Sequence, residues 1–288
     1  MVSVNTSTGV TLRDLLVCPN CKGPLAGEIE ALRCAACGID YDSANGIPRL
    51  FVSEQMGETT DRQQGLYDEV AHEYDDVFNP HVVNHYLDRR TEVIRGLIRS
   101  GLVLDVGAGT GVLAERVTDA GYRVVAADAS TGMLAQASAR GLLGGAGCFA
   151  NALPFADNTF HLAYSVATMH HLETPERVAG TIAEMARVVR WGGFVLIWDH
   201  NPLNPYWPIL MARVPQDSGE ERLVGMGELT AACRNAGLRV RSRRRAGLVP
   251  DFMPEGLMPV WTRVERLTEA APLLSLLCAH NVVIAQKV

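Results

Sequence analysis

Val103-Leu104-Asp105-Val106-Gly107-Ala108-Gly109-Thr110-Gly111 decides how this chain is read. A short apolar run, Leu102–Val106, ends in three glycines at alternate positions. Glycine lets the backbone turn sharply there and lets a ligand approach without meeting Cβ atoms. Val112–Ala120 follows with helical spacing, so its free N–H groups and positive dipole end would face an anion such as a carboxylate. Such a turn is a weak signal by itself. A dinucleotide fingerprint needs glycine at 112, where this chain has Val, and a Walker loop needs Gly-Lys-Ser/Thr, which is absent. The reading narrows with Asp105 inside the strand and Asp128 at the tip of the next. A carboxylate at that tip can accept two hydrogen bonds from a ribose diol.

Outward from this turn the pattern alternates as a parallel sheet with crossover helices demands. Tyr122–Ala127 reads as a strand ending at Asp128, and Ser130-Thr131 opens a helix running to Arg140. A third strand is expected near Cys148–Ala150 and a fourth at Phe160–Val166. Pro175 occupies a first-turn position of a helix predicted to reach Arg190. Trp191-Gly192-Gly193 should break it, and Phe194–Trp198 reads as a fifth strand. Glu228–Ala236 is helical, Leu238–Arg244 a sixth strand and His280–Gln286 a last one. The expected class is α/β, with helices on both faces of one sheet.

Toward the N-terminus, Cys18-Pro-Asn-Cys21 and Cys34-Ala-Ala-Cys37 form two knuckles twelve residues apart. Together they can supply the four thiolates of a closed, structural Zn²⁺ site. A disulfide framework is the other reading, but nothing suggests export. Cys148, Cys233 and Cys278 stand alone in apolar surroundings and read as packed thiols. The chain has 288 residues, 48% hydrophobic and 20% charged, enough for one α/β domain plus a small appendage. A net charge of −6 argues against a protein that grips nucleic acid by charge alone. No apolar run approaches the roughly 20 residues of a bilayer span, and MVSVNTSTGVTLRD has no leader pattern. A cytoplasmic protein is expected.

Two resemblances follow. LRDLLVCPNCKGPL and LRCAACGIDYDSANGIPRLF, covering about residues 11–51, resemble the zinc-ribbon domain of the small activator that partners several translation-related methyltransferases. Ser53–Gln64 reads as a linker, so residues 1–60 are ribbon and linker. LDVGAGTG, VVAADAS with Met133, ALPFADNTF, SVATMHHL and RWGGFVLIWDHNPLNP, within 61–288, resemble the class I S-adenosylmethionine-dependent methyltransferases. That resemblance implies a seven-stranded Rossmann-like sheet. It also implies that the turn Gly107, Ala108, Gly109 and Gly111 wraps the methionine moiety. Asp105 would support the amino group, Asp128 the ribose, and Ala129 and Met133 the adenine. Tyr67–Asp75, with Tyr74, resembles the cofactor-covering helix of the ubiquinone/menaquinone-type branch. The family often carries Asp before Leu-Pro-Phe; here the stretch reads Asn151, Ala152, Leu153, with Asn151 the candidate for the adenine contact. Val166, ending the fourth strand, is grouped with the cofactor side.

Catalysis is expected from His170 and His171 after the fourth strand and His200 after the fifth, with Asp199 available to orient a histidine. These loops lie at the sheet edge where α/β proteins bind ligands. His72, His81, His85, His161 and His280 lack that placement and read as structural or surface. The segments 201–225 and 249–278 are apolar and aromatic; they suit a roof over a small organic acceptor, with core packing or a homodimer contact as the other readings. Arg239–Arg245 reads as a solvated edge strand rather than a nucleic-acid patch. The leading expectation is methylation of O, N or C of a small, mostly apolar metabolite in specialised biosynthesis. An rRNA or tRNA methyltransferase is second, although the Asn-Pro-Pro-Tyr type motif is missing. A cofactor-binding pseudoenzyme comes third.

Overall fold

The computed structural model describes residues 9–52, 79–207 and 222–288, with Gly65, Tyr67, Asp68, Ala71 and Asp75 between the first two stretches. The expected linker Ser53–Gln64 and the residues Tyr74, His72, Pro208 and Met211 lie outside the described residues.

The N-terminal part is built of α1 (Leu12–Leu15) and five short strands. These are β1 (Leu25–Ala26), β2 (Leu32–Cys34), β3 (Asp40–Tyr41), β4 (Ser43–Ala44) and β5 (Ile47–Pro48). β1, β2 and β3 form one antiparallel sheet and β4–β5 a hairpin.

The larger part begins with α2 (Pro80–Leu97), which Pro80 opens because its missing N–H and fixed φ suit a first turn. Then come β6 (Leu102–Val106), α3 (Val112–Asp119), β7 (Arg123–Asp128), α4 (Thr131–Ser138), β8 (Gly144–Gly147) and β9 (Phe160–Val166). After them follow α5 (Pro175–Val188), β10 (Val189–His200), α6 (Met226–Asn235), β11 (Leu238–Ala246), α7 (Met258–Ala270) and β12 (His280–Lys287). The seven strands lie in the order β11-β12-β10-β9-β6-β7-β8. Six run in one direction, while β12, between β10 and β11, is antiparallel to both of its neighbours. Chain order moves outward from β6 to β8 in one direction and from β9 to β10 in the other, with β12 inserted between β10 and β11, which opens a crevice above the C-terminal ends of β6 and β9.

Both faces of the sheet are covered, so central strands read as unbroken apolar runs rather than alternating ones. Val103, Val124, Leu162 and Val282 pack under Leu87 and Ile94 of α2 and Leu113 and Val117 of α3. Leu104, Val125, Ala163 and Val283 face the other way, against Ile182 and Met185 of α5 and Leu229 of α6. Leu12, Leu16 and Leu50 of the N-terminal part belong to that second cluster, beside Cys148 and Phe155. Backbone bonds join the same surfaces: Val17 N donates to Pro154 O at 2.9 Å and Leu50 N to Gly147 O at 2.7 Å. Lys22 Nζ adds contacts to Glu184 at 3.0 Å and to Leu153 O at 3.1 Å.

Two expectations need correction. The third strand is Gly144–Gly147, not Cys148–Ala150. Its sequence, Gly-Gly-Ala-Gly, has almost no side chains because neighbours fill their places: a Cβ on Gly144 would sit 2.9 Å from Leu12, and one on Gly147 3.3 Å from Pro48 O. The helix from Pro175 ends at Val188 rather than Arg190, and Trp191–Gly193 lie inside β10 at a register shift. A Cβ on Gly193 would meet His161 O at 2.8 Å, so glycine permits the close approach. Elsewhere the expected elements are present to within a few residues, and Arg239–Arg245 lie on the edge strand β11. Among the described residues no helix is long and apolar enough to cross a membrane.

Candidate functional site

The glycine turn leaves β6 with Gly107 at φ 76° and Gly109 at φ 54°, a region L side chains rarely adopt. A Cβ on Gly107 would lie 2.2 Å from Thr168 Oγ1, so the turn is seated against the loop after β9. Gly109 has open space where a side chain would stand, and its N–H donates to Asp128 Oδ2 at 2.8 Å. Asp128 Oδ1 accepts from Ser130 N at 2.9 Å. Burial pushes the Asp128 carboxyl up, opposed by these backbone N–H groups.

Two cavities meet at this turn. The first holds Asp128, Ala129, Met133 and Asn151 on one side and Thr168 and His171 on the other. Asp105, Ala108 and Val166 line the second, which shares Gly107, Gly109 and Ala167 with the first. Burial raises the Asp105 carboxyl to about 7, opposed by the hydrogen bond from Tyr164 Oη at 2.8 Å. Some expected residues stand elsewhere. Gly111 is the N-cap of α3 and lines neither cavity. Ala152 and Leu153 are buried away from both, while Cys148, Phe149 and Ala150 reach the wall instead. The strand before them ends at Gly147, which shifts the cavity-facing residues earlier by about three positions.

The three histidines after β9 and β10 come together. Ring centroids lie 4.0 Å apart for His170 and His171 and 4.1 Å for His170 and His200. His171 alone of the three lines the first cavity, with its Nε2 at 3.2 Å from the Tyr67 hydroxyl. Burial, reinforced by His170, pushes the His171 ring down to about 3, and burial holds His200 well below the ordinary range. Both rings are therefore neutral at pH 7. His200 stacks on Trp207 at 3.7 Å.

Asp199 organises the group. Its Oδ1 lies 3.0 Å from His170 Nδ1 and accepts from His200 N at 2.7 Å. Its Oδ2 accepts from Met169 N at 2.6 Å and Thr168 N at 3.1 Å. Burial opposes ionisation, but His170 and the backbone donors outweigh it and hold the carboxyl well below the usual range. His170, Asp199 and His200 are close enough to share a cation. All four lone-pair positions of the carboxylate are already engaged, however, so we read the group as a hydrogen-bonded network.

One histidine expected to be remote is not. His280 pairs with His200 across β12 and β10, 5.8 Å between ring centroids, because an antiparallel strand begins at the edge where its parallel neighbours end. His85 and His81 are structural as expected, bonded to Glu265 and to Met253 O.

In the N-terminal part, Sγ atoms of Cys18, Cys21, Cys34 and Cys37 all lie within 4.8 Å of one another. Cys18–Cys37 is 3.7 Å and Cys21–Cys34 3.4 Å. A tetrahedral zinc with Zn–S near 2.3 Å would space its sulfurs by about 3.8 Å, so the donor set fits that ion. The N–H of Cys37 reaches Cys34 Sγ and helps draw that thiol down to about 6.

A sheet of this order, with a glycine turn after β6, a carboxylate ending β7 and a crevice above both, defines the class I S-adenosylmethionine-dependent methyltransferase fold. Comparison with known proteins agrees. Residues 104–197 match the family model described as a methyltransferase domain. A demethylmenaquinone methyltransferase from Renibacterium salmoninarum is 32% identical over 155 residues, 51% of this chain and 62% of that protein. The chain spans less than two thirds of the curated relatives it matches. Among solved structures, a SAM-dependent methyltransferase from Thermotoga maritima aligns with TM-score 0.58 at 18% identity, over 78% of this chain and 100% of that one. A chain from the Haloferax volcanii complex between the Trm112 methyltransferase activator and its methyltransferase partner aligns with TM-score 0.53 at 20% identity, over 81% and 99%.

Proposed function

We propose that the protein transfers a methyl group from S-adenosylmethionine to a small, mostly apolar acceptor. The observation that carries this reading is the meeting of Asp128, the Gly107–Gly109 turn and His171 on one crevice. In this reading Asp128 holds the ribose, Met133 and Ala129 flank the adenine, and Asn151 meets its amino group. Tyr74, the remaining expected cofactor contact, lies outside the described residues. The bound cofactor supplies a methyl on a sulfonium, ready for in-line displacement. The chain aligns the nucleophile and excludes water. His171 faces the acceptor as a neutral ring able to take a proton, while Asp199 fixes His170 and the loop behind it.

The acceptor in this reading is a ring compound of the quinol type, on the support of the name of the Renibacterium relative. Residues 1–60 serve as a ribbon and linker holding one structural Zn²⁺ on Cys18, Cys21, Cys34 and Cys37, and residues 61–288 as the methyltransferase domain. The test is to incubate the protein with labelled cofactor and either a lipid-quinone precursor extract or total RNA. Label entering the organic-soluble fraction supports the proposal, and label entering RNA overturns it.

A further inference from the structure

Adjacent arginines on α2 have opposite surroundings. Arg89 bonds Glu265 and Glu269, each at 2.7 Å. Arg90 lines the second cavity, its Nε is sealed from solvent with no hydrogen-bond partner, and among the described residues it forms no ion pair. Its guanidinium lies over the rings of Tyr86 at 5.6 Å and Trp198 at 5.7 Å. Those ring faces offer it no oxygen acceptor, so the charge has no hydrogen-bonding counterpart among the described residues. Burial pushes its pKa down to about 10, so it is still a cation at pH 7. The other cavity arginines are engaged: Arg116 with Asp88 and Asn84, and Arg140 with Glu115, Asp75 and Thr110 O.

A buried, unpaired cation is expensive unless an anion joins it. On the same cavity stands Asp105, buried, bonded to the Tyr164 hydroxyl and without an arginine partner among the described residues. We propose that Arg90 receives the carboxylate of the cofactor's α-amino-acid end. This rests on the proposed cofactor reading. A nucleoside seated on Asp128 in the first cavity continues past Gly107 and Gly109 into the second, where one ammonium and one carboxylate meet one acid and one unpaired base. Neutral ligands do not meet the requirement of the guanidinium, and phosphates would face Asp105 and Asp75 across the same space.

The experiment compares S-adenosylhomocysteine with 5′-methylthioadenosine, which lacks the amino-acid end, by calorimetry on wild type, Arg90→Gln and Arg90→Lys. Arg90→Gln should weaken S-adenosylhomocysteine on the order of 10–100-fold, the share of charge-assisted bonds. Its affinity for 5′-methylthioadenosine should stay within about twofold, the scatter of context for a contact it never makes, which also reports an intact fold. Arg90→Lys should recover part of the loss, since it restores charge without the fork. Equal loss for both ligands would make Arg90 a packing residue, and no loss for either would place the carboxylate elsewhere; both overturn the proposal. Failure of wild type to bind S-adenosylhomocysteine would instead overturn the cofactor reading beneath it.

Discussion

Asp199 Oδ1 lies 3.0 Å from His170 Nδ1, and the same carboxylate caps the loop that carries His171. One buried charge thus fixes a histidine and the backbone of its neighbour together. Asp199→Asn should destabilise the fold by about 2–3 kcal/mol near neutrality, as hydrogen bonds to a charged group are lost. The folded-state pKa is depressed, so this stability is fully present above the unfolded value near 3.9. It disappears as pH falls from there through the lower folded value. Urea titrations of wild type and variant should therefore differ most near pH 7 and converge in acid; a gap that stays constant would contradict the assignment.

His171 should show itself in turnover rather than binding. Replacement by Ala should lower kcat by roughly 10²–10⁴-fold, the usual share of a general base, with cofactor affinity nearly unchanged. Because burial holds the ring near 3, it is already neutral across the physiological range. The wild-type rate profile should then carry no histidine limb between about pH 5 and 8. A limb near 6.5 that vanishes in the Ala variant would refute the neutral ring.

Asp128→Ala should weaken S-adenosylmethionine binding by roughly 1.5–3 kcal/mol. Its carboxylate also holds Gly109 N and Ser130 N, so the turn itself loosens. Asp128→Asn, which keeps one acceptor, should fall between the two. An Asn variant as weak as Ala would show that charge rather than geometry binds the ribose.

Purified protein should contain about one zinc per chain, as four thiolates demand. Cys34→Ser should release it to a chromogenic chelator far faster than wild type does. Four freely reactive thiols and no zinc in the wild-type protein would mean an eroded site.

Much of this was legible because the glycine turn, Asp105, Asp128 and the paired knuckles are local patterns. What escaped was set by distant neighbours. β8 has no β-branched residue since Leu12, Leu134 and Pro48 occupy the room its side chains would need. His280 joins the histidine group only because β12 runs antiparallel, which no window around residue 280 reveals. Arg90 and Arg89 look alike in sequence, yet helix α2 turns one toward α7 and the other into the crevice. Asn151 lines the first cavity, whereas Ala152 and Leu153 do not, because β8 ends early and shifts the cavity-facing stretch.

The shared core of Leu12, Leu16 and Leu50 with Cys148 and Phe155 has a consequence for biosynthesis. The ribbon leaves the ribosome first, but the surface it packs on is made about a hundred residues later, between Leu50 and Phe155. At ~5–20 residues per second that interval is roughly 5–20 s. Throughout it, the nascent chain carries a finished small fold with a bare apolar side. Chaperones that bind during translation would meet this protein there, before its crevice is complete.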